Sequence, residues 1–309
     1  MLKPKIFFLL LLFLFSSEAN ADEFIAYSHL TDGYWQIWVM KFDGSQQHRV
    51  TNSHVDKRDP SWLSGGRIAY RTNDGRLFVV DVEKNTGEEI LPQFKMINNP
   101  DFSSVTNEIL FVRFDPRSPD ISGIWKMALD GQKPILLTRE KAFVYQPAFS
   151  PQADIVAFVK AEPNKIDHHL WIMSALGGAN SDGDAKQLTQ GPGYHTLPDF
   201  SPDGQWITFS SNRDGDYEIY LINIHSKEMI QLTDNENLDT SSCFSPDGES
   251  IIFVSDRGGN QQIWMMPLLD QLGPALRDKA GAKGTDMNGA NPKQLTRGQD
   301  ESIDPAWSP

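Results

Sequence analysis

Few residues in this chain have the types and spacing that chemistry needs. Seven histidines are scattered along it, and only His168 and His169 are neighbours. Adjacent side chains in an extended strand face opposite sides, so this pair does not make a two-ligand metal site by itself. No HxxxH or CxxC spacing of the kind that holds zinc is present. Residues 212–218, NRDGDYE, offer several oxygen donors. They lack the ligand spacing and terminal bidentate Glu of an EF-hand and read as a β-turn. The sister segment 255–262, SDRGGNQQ, keeps the Arg and a Gly but loses the acids. Arg213 and Arg257 thus recur at one place, which suggests a structural bond within each unit. Cys243 has no second cysteine to pair with and reads as a small buried hydrophobe. There is no GxSxG elbow, P-loop or GxGxxG. No catalytic residue, metal or cofactor is therefore expected, and binding is the chemistry left open.

Composition narrows the class of partner. Lys and Arg number 28 against 41 Asp and Glu, a formal charge of −13. Nucleic acid and anionic membrane surfaces both require clustered basic side chains, so neither is an expected partner. With 39% hydrophobic and 11% aromatic residues the chain can build a core. At its start, Lys3 and Lys5 precede an apolar stretch from Ile6 to Phe15, then Ala19-Asn20-Ala21. This is the pattern of a secretory signal peptide over residues 1–21, too short to stay as a membrane span. The expected mature domain is 22–309, periplasmic, with secretion as the second choice, and monomeric.

Four short phrases recur. The first is an aromatic followed by a turn: PDFSPDG at 198–204 and CFSPDG at 243–248, with weaker forms at 60–66, 100–106 and 147–153 and a last one, DPAWSP, at 304–309. The second is IAYR at 68–71, ILFV at 109–112, VAFV at 156–159, ITFS at 207–210 and IIFV at 251–254. The third is LFVV at 77–80, IWKM at 124–127, LWIM at 170–173, IYLI at 219–222 and IWMM at 263–266. The fourth is EEIL at 88–91, ILLT at 135–138, KQLT at 186–189, IQLT at 230–233 and KQLT at 293–296. Short β-branched and aromatic runs bounded by Gly, Pro, Asn or Asp are strands. In the turn, Pro presets φ, Asp accepts backbone hydrogen bonds and Gly takes the positive-φ place.

The termini complete each other. Residues 24–51 hold a second, third and fourth phrase (IAYS, IWVM, HRVT) without a first, and 302–307 supply a first phrase without the rest. Six units of roughly 48 residues follow, a length suited to propeller blades. The expected fold is all-β: a six-bladed β-propeller of four-stranded blades, closed by a blade shared between the N- and C-termini. Two stretches, 174–185 and 270–291, lengthen the link between third and fourth strands and read as surface loops, or as segments that order on a partner.

The succession PxFSPDGxxIxFxSxRxGxxxIYxM…QLT resembles the WD-like repeats of the TolB β-propeller family across the mature chain. The resemblance concerns the propeller part. TolB proper carries an additional α/β domain before it, and here the residues ahead of 24 read as the export signal. The resemblance implies an envelope protein assembly, with a peptidoglycan-associated lipoprotein or an outer-membrane protein as partner. TolB-like repeats are also similar to those of oligogalacturonate lyases, which leaves open a lyase or hydrolase acting on acidic polysaccharide, or a propeller that feeds a separate hydrolase.

Propellers bind at the ends of their central channel. The residues three before each first-strand aromatic are Asp59, Asn99, Gln146, Leu197, Ser241 and Asp304, with Arg58, Tyr145, His195 and Asp239 close by. Asp59, Asn99, Gln146, His195, Asp239 and Asp304 are the candidate binding residues of the channel mouth, a ring able to hold a cation, a sugar or a peptide end.

Overall fold

Phrases of β-branched and aromatic residues between turn-forming residues become extended because alternate side chains can then be buried on the faces of a sheet. The structure, a computed structural model, describes residues 24–308 apart from 116–117, 139–141, 162–164, 177–184 and 269–291. The signal segment and most of both insertions lie outside the described residues. Among those described, every regular element is a β-strand, and the strands form six four-stranded antiparallel sheets. We number the blades by their inner strands: Lys57–Leu63 (blade 1), Asn98–Ser103 (2), Phe143–Phe149 (3), His195–Phe200 (4), Asp239–Phe244 (5) and Ser302–Trp307 (6).

Blade 6 is the shared one. Its inner strand pairs with Phe24–Thr31, setting Ile25 opposite Trp307 and His29 opposite Ser302. Tyr34–Lys41 and His48–Arg49 complete the sheet, and the Phe24 N–H donates to Ser308 Oγ at 2.9 Å. The ring is closed by hydrogen bonds between residues near opposite ends of the sequence.

The recurring residues hold the blades together. In the Ser-Pro-Asp-Gly turns the serine hydroxyl bonds the aspartate, Ser201 to Asp203 and Ser245 to Asp247, both at 2.5 Å. Gly204 and Gly248 take φ of 70° and 72°, a conformation that an L side chain resists. The threonine of the fourth phrase accepts a third-strand N–H: Ile37 to Thr51, Ile124 to Thr138, Leu170 to Thr189, Ile219 to Thr233 and Ile263 to Thr296. Apolar residues sit between blades. One cluster joins Leu110, Val112 and Ile124 of blade 2 to Val156, Phe158 and Met173 of blade 3. Another joins Ile219, Leu221 and Leu232 of blade 4 to Phe244, Ile251 and Phe253 of blade 5. Each such side chain contributes roughly 1.5–3 kcal/mol by leaving water, so the ring is held by its inter-blade surfaces.

Candidate functional site: the mouth of the channel

Every inner strand is bent at one equivalent place. Asp59, Asn99, Gln146, Leu197, Ser241 and Asp304 all adopt positive φ, between 43° and 55°. The pairing register between first and second strands shifts there in each blade. In five of the six the next residue is proline, which has no N–H to give to the ladder. An L-residue in this region costs on the order of 1 kcal/mol, so six repeats amount to a sizeable strain concentrated on one ring. The bend turns the bulged residue and the residue two further on toward the axis.

These residues line a cavity of about 400 Å³. Asp59, Asn99, Gln146, Leu197, Ser241 and Asp304 form its upper ring; Ser61, Asp101, Ala148, Asp199, Cys243 and Ala306 form the next. A second cavity of about 220 Å³ shares Asp101, Phe102, Ser104 and Asp199 with the first, so the two adjoin around these residues.

The two rings differ electrostatically. Arg58 grips Asp304 through Nε at 2.5 Å and Nη2 at 3.3 Å, and lies 4.9 Å over the ring of Trp35. Arg71 Nε donates to Asp59 at 2.7 Å. Burial and the neighbouring Asp304 nevertheless hold the Asp59 carboxyl above its usual range. Gln146 Oε1 accepts the Leu197 N–H at 2.9 Å, joining blades 3 and 4. Deeper, Asp101 accepts the Phe149 N–H at 2.7 Å and Asp199 accepts the Phe244 N–H at 2.9 Å. Burial pushes Asp101 up to about 6 and Asp199 to about 7, despite these bonds. Burial also raises the Cys243 thiol, whose Sγ lies 3.3 Å from the Pro305 carbonyl oxygen.

Four of the six residues chosen from the sequence, Asp59, Asn99, Gln146 and Asp304, are brought together on this lining, with Leu197 and Ser241. His195 and Asp239 are not. Each is the first residue of its inner strand, ahead of the bend, and each is 0% exposed between blades. His195 stacks on His169 of blade 3 with ring centroids 5.4 Å apart, and burial lowers it to about 4. Asp239 takes the Arg257 guanidinium and the Asn235 amide. Asp101 and Asp199 join the lining from outside the sequence-derived set, and the phrase PDF at 100–102 and 198–200 is the signal that marks them once the repeats are aligned.

The other candidates also find structural places. Among the described residues no group of three or more His, Cys, Asp and Glu is arranged to hold a metal ion. Residues 212–218 make a turn closed by the Gly215 N–H on the Asn212 carbonyl at 3.2 Å, and Asp214 accepts the Tyr220 hydroxyl at 2.7 Å. Arg257 makes the bond within the blade that its recurrence suggests, and Arg213 does so more weakly, with Nη1 2.9 Å from Met229 Sδ on the outer strand of blade 4 and Nε 3.6 Å from Asp214. Around the mouth, Phe114, Phe143, Tyr145, His168 and Tyr194 form a chain of ring contacts, with Phe114 and Tyr194 each 37% exposed. Tyr145 and His168 Nδ1 share a hydrogen bond.

The sequence pattern of the TolB beta propeller domain matches residues 66–216 and, overlapping them, 124–275. The chain belongs to this family. The Tol-Pal system protein TolB of Bordetella pertussis is 28% identical over 229 residues, covering 66% of this chain and 50% of its own length. The chain spans about half the length of the curated relatives it matches. The crystal structure of TolB from Acinetobacter baumannii superposes with a TM-score of 0.70 at 20% identity, covering 92% of this chain and 66% of that one. An oligogalacturonate lyase in complex with manganese superposes at 0.57 with 15% identity, covering 80% and 72%, which speaks to the fold alone. In this TolB-like propeller the bent ring and the two carboxyls below it, Asp101 and Asp199, line one cavity.

Proposed function

We propose that this chain is a non-enzymatic, protein-binding scaffold of the periplasm that takes part in a cell-envelope assembly. The family match carries this reading, together with the Bordetella relative, whose name places that protein in a Tol-Pal system. The mouth supports it: a ring fixed by backbone strain offers carboxylates, amides and exposed aromatic rims to a polypeptide, the mixture found at protein interfaces. Its partner is an envelope protein, such as a peptidoglycan-associated lipoprotein or an outer-membrane protein. Export follows from residues 1–21, with cleavage after Ala21.

The alternative, a lyase or hydrolase on acidic polysaccharide, meets an electrostatic obstacle. Among the described residues that line the cavity none is basic, and Arg58 and Arg71 are already taken by Asp304 and Asp59, so a polyanion finds no free cation there.

The test is in-cell photo-crosslinking followed by mass spectrometry. A crosslinker at Gln146, on the mouth, should capture a stoichiometric envelope protein, and one at Val105, beside the second cavity, should not. Absence of any adduct from Gln146 in intact cells, or release of unsaturated oligosaccharide by the purified protein, overturns the reading.

A further inference from the structure

At one repeated place four of the blades present a side chain toward the start of the next inner strand. The residue ahead of the N–H that bonds the recurring threonine is Gln36, Gly123, His169, Glu218 or Gln262. Gln36 accepts from Lys57, and Gln262 donates to the Asp300 carbonyl beside Ser302. His169 stacks on His195. Between blades 4 and 5 the corresponding residues are two carboxylic acids, Glu218 and Asp239, which are 3% and 0% exposed.

Asn235 bridges them. Its backbone N–H donates to Glu218 Oε1 at 2.6 Å, and its amide Nδ2 lies 2.9 Å from Asp239 Oδ2 and 3.5 Å from Glu218 Oε2. Asn237 in turn donates to the Asn235 side chain from both its backbone and its amide nitrogen. One guanidinium, Arg257, serves the pair, and it bonds Asp239. Asp239 Oδ1 is buried with no hydrogen-bond partner. The remaining charged neighbour of Glu218 is Asp216, which adds repulsion; Arg213 and Asp214 bear on the adjoining Tyr220. With both acids ionised, the seam holds one negative charge too many for a buried place.

We infer that the seam between blades 4 and 5 is a proton-operated latch: protonated Glu218 keeps it closed, and loss of that proton loosens the connection 233–239 that lies on the channel-mouth side of the ring. Burial raises Glu218 to about 7, in keeping with that charge count. Because the folded value lies above the unfolded one, the stabilisation is complete below the unfolded value near 4.5 and is lost as pH rises through about 7. The latch would let a modest change of pH alter one sector of the mouth while the other seams stay shut.

Hydrogen–deuterium exchange of the full chain at pH 5.5, 7 and 8.5, corrected for intrinsic exchange rates, tests this. Opening of 233–239 should rise about tenfold or more across this range, whereas 51–57, the matching connection between blades 6 and 1, should change far less. Glu218→Gln should flatten the response, and Asp239→Asn should reduce it if the first variant folds poorly. Equal pH dependence of the two connections in the wild-type protein, or an unchanged response in Glu218→Gln, overturns the inference. This outcome is independent of whether a partner is captured at Gln146.

Discussion

The seam between blades 6 and 1 and the seam between blades 4 and 5 hold equivalent positions and bury polar groups in opposite ways. In the first, the Lys57 ammonium donates to Gln36 Oε1 at 3.1 Å, Ser53 Oγ at 2.6 Å and the Val55 carbonyl at 2.8 Å. All three donors of one charge are thus satisfied by neutral oxygens, though burial still lowers the lysine to about 8. In the second, two acids share the Asn235 side-chain amide, one guanidinium bonds Asp239 alone, and an Asp239 oxygen is left over. A propeller can therefore repeat its backbone faithfully while each inter-blade junction is chemically individual. The apolar clusters supply the common stability, and the polar seam decides how that stability responds to pH.

The largest effect expected comes from opening both seams of blade 6. Removing residues 302–309 takes away its inner strand and exposes two strand edges, so cooperative unfolding should be lost in a calorimetric scan. A melting temperature equal to that of the full chain would show that hydrogen bonding between the termini is dispensable. Next, Arg257→Ala leaves Asp239 buried beside Glu218 without a cation. This should cost about 3–5 kcal/mol in denaturant unfolding at pH 8 and distinctly less at pH 5. Lys57→Ala attacks the other seam. Leaving its acceptors unpaired should cost about 2 kcal/mol, with little change between pH 5 and 7, and a strong pH dependence would erase the contrast between the two seams.

A smaller effect lies in the pH profile of the intact protein. Asp101, Asp199 and Glu218 are raised to about 6, 7 and 7, so the fold holds their protons and gains stability as pH falls from 8 toward 6. His195 is lowered to about 4, so its contribution is complete above 6.5 and is lost as pH drops from there toward 4. One histidine offsets only part of the gain from three acids, so the melting temperature should rise as pH falls from 7 to 5, and Glu218→Gln should make that rise smaller. The smallest change is expected at Leu197, away from both seams. Leu197→Asn places a residue tolerant of positive φ on the strained ring and should gain up to about 1 kcal/mol; a clear loss would mean that the apolar side chain matters more than the backbone strain.

Much was legible in the residues themselves. Turn chemistry around Asp203-Gly204 and Asp247-Gly248, the strand phrases, and the missing first phrase at one terminus with its counterpart at the other all depend on local geometry or on simple repetition. That local information also fixed which residues stand at the bend of each inner strand, because the place recurs at a constant distance from an aromatic.

The sequence by itself thus determined a closed six-bladed ring and the identity of its bent residues. Only the folded ring decided what lies on each side of the bend. A bulge re-aims the side chains that follow it relative to those before it, so His195 and Asp239 turn into the seams while Asp101 and Asp199 reach the bore. Their partners come from neighbouring blades, and no spacing along the chain encodes which side chain of one sheet will meet which of the next.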